Sequence, residues 1–401
     1  VAYVRLFAGT LRARDRVRLG AGPESKVTAV SSADGEYGQA RAGQIARVWG
    51  LRETRIGDRI RAADGAPDGS EQTAHYFAPP TLETAVVPDR RADRPALHAA
   101  LTRLAEQDPL INLRQADQEI FISLYGEVQK EVIQATLADD FGIGVAFRET
   151  TTICVERPEG AGESVERINV PPNPFLAGVG LRVEPGPADG VEFRLGVEPG
   201  AMPSAFFTAV EETVREALTQ GVHGWQVTGC LVTMTHSGYW PRQSHAHATF
   251  DKSMSSTAGD FRNLTPLVVM AALSRAGTAV FEPLHRFLLD IPAERSVVTL
   301  QALPRLDAVP LDAVTRGSSC LIEGEIPAAR VRGLERELPS LTGGEGVLET
   351  AFERYRRVRG EVPARRRTGP NPLDREDYLL RVTRRAAGAG SRSPNPAGYV
   401  R

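Results

Sequence analysis

Lysine is nearly absent from this 401-residue chain. Only Lys26, Lys130 and Lys252 accompany 45 arginines among the 48 basic residues, and none of the three lysines follows a glycine. A phosphate loop of the form Gly-x-x-x-x-Gly-Lys-Ser/Thr is therefore excluded. Without that loop we expect no nucleoside triphosphate to be bound or hydrolysed by this chain, and we assign no catalytic residue.

Other absences narrow the class of protein further. Cys154, Cys230 and Cys320 are odd in number and far apart, which favours free thiols in a reducing compartment over a disulfide framework. The sequence contains no signal peptide and no apolar run of membrane-spanning length. Gly-x-Ser-x-Gly and His-Glu-x-x-His motifs are also missing. We expect a soluble cytoplasmic protein without membrane contact.

Charge is unevenly distributed along the chain. Residues 351–401 contain thirteen arginines against five acidic residues, a surplus of eight, so the formal net charge of −2 leaves −10 for residues 1–350. Such a carboxy-terminal surplus is typical either of a surface that meets phosphate or of a solvated helix face. For an isolated charge run we favour the solvated face.

Three of the seven histidines lie close together in sequence. His236, His245 and His247 precede Asp251, and histidine is a common ligand of transition metals. Their spacing matches no standard site and no cysteine pair joins them. We therefore expect surface or RNA-facing histidines and no metal.

The most informative segment is Val170–Phe175, which contains three prolines in six residues. Because proline fits neither a helix interior nor a central strand, this segment predicts a rigid bend. Four other motifs accompany it: Gly126–Val132, Gly224–Thr228, Asp260–Arg262 and Gly324–Pro327. In this order the motifs resemble the ribosomal protection proteins of tetracycline resistance, and most closely the oxytetracycline self-resistance type.

This family is similar to elongation factor G, the translocation GTPase, and the resemblance extends from Val1 to about Arg385. It implies that the chain is the remainder of a larger protein whose GTP-binding domain is missing. The chain itself then needs no cofactor, whereas the full-length parent uses GTP and Mg. The implied partner is the ribosome, at small-subunit rRNA near the decoding site, from which tetracycline is displaced indirectly. We expect a monomer.

The implied fold is multidomain α+β. Short alternating strands between glycine turns in residues 1–77 predict an antiparallel β-barrel, and alternating strands and helices further on predict ferredoxin-like sandwiches. The expected units are a barrel (1–77), a ferredoxin-like domain (78–150), an elongation factor G domain IV-like arm (151–283, completed by a helix at 369–386), a second ferredoxin-like domain (284–368) and a disordered tail (387–401).

Several local expectations are open to test. A strand at 225–235 should lead into a long polar loop, and a helix should run from about Leu264 to Ala276. The helix predicted at 127–139 should turn Val128, Val132 and Ile133 inward. Residues 296–300 have strand propensity, yet the resemblance implies a helix, which we prefer because propensity is a weak guide.

The candidate ribosome-contacting loop follows the strand at 225–235. Tyrosine and tryptophan stack on unpaired bases, arginine and lysine meet phosphates, and hydroxyls bind 2′-hydroxyl groups. The alternative is a local cluster in which Trp240 simply packs. The candidate residues are Tyr239, Trp240, Arg242, Lys252, Ser253, Met254, Ser255, Ser256 and Thr257.

The resemblance assigns Lys252–Thr257 to the loop that enters the drug site, and we expect this segment to be exposed. Met254 stands where better-known members carry proline, and residues 242–250 look inserted. Further rRNA-facing candidates are Arg157, in an expected turn at 156–160, and Arg381, Arg384 and Arg385 in the closing helix.

Two rival functions stay open at this point. One is an elongation factor G-like translocase, which the segments Gly126–Gln129 and Val170–Phe175 disfavour because translocases carry other motifs there. The other is a standalone RNA-binding or structural module with no resistance role.

We expect the 401-residue chain neither to bind nor to hydrolyse GTP, with or without ribosomes, because it has no phosphate loop. Calorimetric titration with GTP and Mg²⁺ checks this expectation. Saturable binding would contradict it.

Overall fold

A computed structural model describes residues 1–19, 24–35, 37–51, 54, 59–62, 79–108, 111–116, 119–186, 190–241 and 255–389, with backbone only for 127 and 383–389. The chain divides into two compact units, one of residues 1–80, 86–114 and 122–148 and one of residues 81–85, 115–121 and 149–401. Within the described ranges, no helix is long and apolar enough to cross a membrane.

Among its described residues, the first unit begins with eight short strands. They form three antiparallel sheets, ordered β1-β7-β5, β2-β6 and β4-β3-β8, around one core in which Val27 and Val48 are fully buried. Strands with intervening glycine turns are thus confirmed, while closure into a barrel stays a prediction. The strands are β1 (Ala2–Arg5), β2 (Thr10–Arg12), β3 (Arg16–Leu19), β4 (Glu24–Lys26), β5 (Ala29–Ser32), β6 (Gln39–Arg41), β7 (Ile45–Trp49) and β8 (Ile60–Ala62).

Residues 82–147 combine four strands with two helices, and the strands are ordered β10-β11-β9-β12. One expectation was wrong: Val128 and Val132 are 72% and 59% exposed, because the buried stripe of α2 runs through Ile133 and Leu137, four residues apart. The elements are β9 (Leu82–Pro88), α1 (Arg94–Gln107), β10 (Leu113–Ala116), β11 (Glu119–Leu124), α2 (Glu127–Phe141) and β12 (Val145–Phe147).

The arm contains a four-stranded sheet, ordered β15-β16-β19-β17, with two helices on one face. Its core is the largest in the second unit, and Phe261 and Met234 are fully buried there. The elements are β13 (Thr151–Thr152), β14 (Val155–Pro158), β15 (Gly162–Glu166), β16 (Ala177–Pro185), β17 (Val191–Leu195), α3 (Ser204–Ala217), β18 (Gln226–Val227), β19 (Cys230–Tyr239) and α4 (Ala258–Ala276).

Two boundaries in the arm differ from expectation. The strand predicted at 225–235 is two strands, because Gly229 adopts a positive φ of 59° between them, and β19 continues to Tyr239. Helix α4 begins at Ala258 rather than near Leu264, since Thr257 and Asp260 form a reciprocal capping box that starts it two turns earlier.

The second sheet of this unit is ordered β18-β14-β20-β22-β21, with β23 also paired to β20. The helix expected at residues 296–300 is confirmed as α5, against local strand propensity, because Thr299 and Ala302 face the core. The elements are β20 (Thr278–Pro292), α5 (Ser296–Ala302), β21 (Val309–Arg316), β22 (Ser319–Pro327), α6 (Ala328–Thr342), β23 (Val347–Arg357) and α7 (Arg375–Ala389).

The three cysteines are free and buried, as the sequence indicated. Burial raises the pKa of the Cys154 thiol to about 12, with nearby Glu282 adding to the shift. Burial also raises the pKa of the Cys230 thiol to about 12. At neutral pH both side chains are protonated, apolar in character and chemically inert.

Glu156 is a fully buried carboxylate in the second unit. It accepts hydrogen bonds from the backbone N–H groups of His223 (2.8 Å) and Trp225 (3.0 Å) and from the Thr278 hydroxyl (3.1 Å). Gly221 packs so closely that a Cβ there would lie 2.6 Å from the carboxylate. Burial raises the pKa of Glu156 despite these donors.

We expect Glu156→Gln to be better tolerated at alkaline than at acidic pH. The raised pKa means that the contribution of Glu156 to stability is full at low pH and is lost as pH rises through its folded-state pKa, because a buried charge must then form. Glutamine keeps an acceptor and removes that cost. Melting temperatures of both proteins across pH 4 to 9 test this; parallel curves would contradict it.

Candidate functional site: the base of the arm loop

Strand β19 ends, and helix α4 begins, at the same end of the arm. The backbone N–H of Trp240 donates to Oγ of Ser256 at 2.7 Å, and the N–H of Ser256 donates to the carbonyl of Trp240 at 3.1 Å. These reciprocal bonds hold together the two ends of the segment 241–255, which we call the arm loop.

The bend at Val170–Phe175 lies beside the base of the arm loop and is irregular, as predicted. Asn173 organises it. Its amide donates to the carbonyls of Arg167 (3.0 Å) and Ala177 (2.7 Å), and its Oδ1 accepts from the N–H of Phe175 (2.9 Å). Phe175 then inserts into the arm core. One side chain thus makes hydrogen bonds with three backbone groups in and beside the proline-rich bend.

Leu176 connects the bend to the base of the arm loop. Its carbonyl accepts the Ser256 hydroxyl at 2.5 Å, and its N–H donates to Oδ1 of Asp260 at 3.4 Å. The other oxygen of Asp260 accepts from the N–H (2.9 Å) and the hydroxyl (2.6 Å) of Thr257. The carboxylate that caps α4 therefore also holds the end of the bend.

The structure corrects part of the predicted loop. Tyr239 belongs to β19, opposite Ala177, and its ring packs edge-on to Phe206 with 6.0 Å between centroids. Ser255 is only 2% exposed, so the expectation of exposure from Lys252 to Thr257 is wrong at this residue. Ser256 and Thr257 bind backbone groups of the arm and act as structural anchors.

Other predicted positions fall outside the described residues. Trp240 is half-buried and described. The undescribed positions are Arg242, His245, His247, Lys252, Ser253 and Met254. Whether they form the drug-site contact stays a prediction.

His236 lies in strand β19, opposite Gly180. The sequence grouped it with His245 and His247, whereas the structure places it in a strand and not in a loop. Burial and the neighbouring positive charge of Arg167 lower its pKa, so the ring is neutral at pH 7. Among the side chains that the structure describes, no group of three or more His, Cys, Asp or Glu is placed to hold a metal ion.

Part of the basic surplus of the carboxy-terminal segment is neutralised by carboxylates elsewhere in the second unit. Arg381 pairs with Asp377 on its own helix at 2.8 Å, and Arg384 and Arg385 lie on α7 with side chains outside the described set. Further ion pairs join this segment to the acidic remainder: Arg354–Glu325, Arg356–Glu282, Arg357–Glu159, Arg365–Glu83 and Arg375–Glu166. The charge gradient seen in the sequence therefore reports complementarity within the fold.

Arg157 lies in strand β14, and the turn expected at 156–160 is confined to its last residues. The guanidinium stands 5.0 Å from the centroid of the Phe281 ring and 6.0 Å from that of Tyr355. Cation–π packing thus accounts for its position. A contact with rRNA remains a hypothesis.

Models of three consecutive elongation factor G segments match the chain. They are elongation factor G domain III (residues 77–149), domain IV (144–277) and the elongation factor G C-terminus (279–366). The oxytetracycline resistance protein of Streptomyces rimosus is 41% identical over 406 residues, covering 96% of this chain and 58% of that protein.

The chain consists largely of elongation factor G domains and is similar to tetracycline resistance proteins of that type.

Two further tetracycline resistance proteins are also similar to this chain. The tetracycline resistance protein TetP of Clostridium perfringens is 34% identical, with 94% of this chain and 57% of that protein covered. TetM of Streptomyces lividans is 39% identical, with 86% and 53% covered. The chain thus spans little more than half the length of these relatives.

A solved structure supports the fold. A crystal structure of a protein from Thermus thermophilus superposes with a TM-score of 0.51 at 23% identity, covering 95% of this chain and 55% of that one. The multidomain α+β architecture is therefore shared with a known fold.

We expect Asn173→Ala to destabilise the arm by about 1–3 kcal/mol, because the carbonyls of Arg167 and Ala177 and the N–H of Phe175 lose the hydrogen bonds that this side chain makes. Chemical denaturation of both proteins measures the difference. Asn371→Ala, at a residue whose Oδ1 accepts one N–H in an exposed turn, is the matched control and should cost less. Equal losses would show that Asn173 does not organise the bend.

Proposed function

We propose that this chain is the ribosome-binding part of a tetracycline ribosomal protection protein, which displaces the drug from the small-subunit decoding region. The observation that carries the proposal is the 41% identity to an oxytetracycline resistance protein across 96% of the chain. In this proposal the ribosome is the partner, the protein acts in the cytoplasm as a monomer, and GTP hydrolysis with Mg²⁺ is performed by a further domain of the complete gene product.

The geometry of the arm supports this role. A loop that reaches into a pocket of another molecule needs a rigid support, since ordering it on binding costs conformational entropy. Here both ends of the arm loop are joined through Trp240 and Ser256, and Thr257 starts α4 directly behind them. We infer that the arm loop is the part that meets the drug site.

A translocase remains the second candidate, because the matching models are those of elongation factor G itself. The two functions differ in what the arm loop does. A protection protein uses it to release the drug. A translocase moves tRNA and mRNA and gives the cell no protection against tetracycline.

We expect the double substitution Ser253→Gly and Met254→Gly in the complete gene product to abolish tetracycline protection. Ribosome-stimulated GTP hydrolysis should persist, because the other domains supply ribosome binding. Both positions belong to the segment expected to be exposed, so stability should change by no more than about 0.5 kcal/mol. Ser255 is kept because it is buried. Resistance assays, GTP turnover and melting temperature test the three expectations.

The matched control is Glu198→Gly, an exposed position in another turn of the arm, which should preserve resistance. Full resistance of the double variant at normal expression would refute the role of the arm loop. A melting-temperature loss typical of a core substitution would show instead that Met254 packs inside the protein.

A further inference from the structure

We propose that Arg375 is a positioning residue for the arm loop: held by Glu166, its guanidinium fixes the bend at Val170–Phe175, and the bend fixes both ends of the loop. The use of the loop on the ribosome rests on the proposed function. The series of hydrogen bonds from Arg375 to the arm loop does not depend on that function.

Arg375 makes three hydrogen bonds from the first turn of α7. Its two terminal nitrogens donate to the two carboxylate oxygens of Glu166 at 2.5 and 3.0 Å, and one of them also donates to the carbonyl of Pro172 at 2.9 Å. The side chains of Glu166 and Arg375 are 14% and 31% exposed, so water screens this pair less than the surface pairs of the arm.

The fork shape of the guanidinium is required for this arrangement. Two parallel N–H groups, one on each terminal nitrogen, bind Glu166, and a second N–H of one of these nitrogens donates to the Pro172 carbonyl in the bend. A lysine ammonium has the same charge but lacks the planar fork, so it is expected to satisfy one partner at the expense of the other. The pairing therefore depends on the planar shape of the guanidinium as well as on its charge.

The bend transmits this constraint over a short distance. Pro172, whose carbonyl Arg375 holds, is followed directly by Asn173, which binds the carbonyls of Arg167 and Ala177. Rigid proline geometry on either side of Asn173 leaves few alternative paths for the chain. Leu176 is thereby presented in one orientation.

From Leu176 the constraint reaches the arm loop directly. Its carbonyl accepts from the Ser256 hydroxyl, whose oxygen also accepts the N–H of Trp240. Ser256 and Trp240 flank the arm loop on its two sides. Helix α7, through Tyr378 in the arm core and its hydroxyl bond to the Asn263 carbonyl at 2.8 Å, provides the fixed support for Arg375.

Hydrogen exchange measured by mass spectrometry tests the proposal in the 401-residue chain. We expect Arg375→Ala and Arg375→Lys to speed exchange at the amides of Leu176, Trp240 and Ser256 by about tenfold, while amides of β17 keep their wild-type rates. In the complete gene product, both variants should release tetracycline more slowly at unchanged ribosome-stimulated GTP hydrolysis. Arg194→Ala, which breaks the exposed pair with Glu192, is the control and should match wild type.

Each outcome decides the question. Wild-type exchange at the three amides in Arg375→Ala would overturn the proposal, as would a uniform rise across the arm, which indicates general destabilisation. Wild-type behaviour of Arg375→Lys would refute the need for the fork, and this variant serves alone if the alanine variant does not fold. Should the wild-type gene product release no tetracycline, the proposed function fails, while the exchange data still decide the role of Arg375.

Discussion

The end of the arm depends on one requirement: backbone polar groups that lose their ladder partners where a sheet ends must find others. Leu176 stands just before β16, and both its N–H and its carbonyl are taken by side chains from the start of α4. Because Asp260 and Ser256 also serve the helix cap and the Trp240 backbone, one small set of polar atoms joins the bend, the sheet and the helix. Losing Ser256, for example, removes the hydrogen bonds of both the Leu176 carbonyl and the Trp240 N–H to this side chain.

Charge is organised in a comparable way. An acidic remainder and a basic carboxy-terminal segment suggest two separate surfaces when read along the sequence. In three dimensions the segment runs over the second unit and meets its carboxylates one after another, from Glu325 to Glu166. Largely buried pairs, such as Glu83 with Arg365 at 5% and 17% exposure, lose favourable hydration when the protein folds. Their main effect is to fix the relative positions of the segments that they join. The net charge of the chain is consequently a poor guide to its partners.

The sequence predicted much of the architecture because local patterns were strong. The helix predicted at 127–139 and the proline-rich bend both appear where the sequence placed them. The end of β19 was missed because glycine and polar residues there look like loop, whereas pairing with β16 makes them strand. The start of α4 had a readable signal in Thr257 and Asp260, which Pro266 within the helix obscured. The role of Ser256 had no local signal, because Leu176 and Trp240 lie 80 and 16 residues away from it in the sequence. Asn173 is different, since its partners lie within six residues and its bond to the Phe175 N–H is a local turn contact.

The buried state of all three cysteines has a practical consequence. With Cys154 and Cys230 held as inert thiols, a single cysteine introduced at an exposed arm position becomes the preferred target for maleimide reagents. Fluorophores or spin labels can then be attached to the otherwise native sequence. Distances from the arm to a labelled partner become measurable without first removing any of these three cysteines.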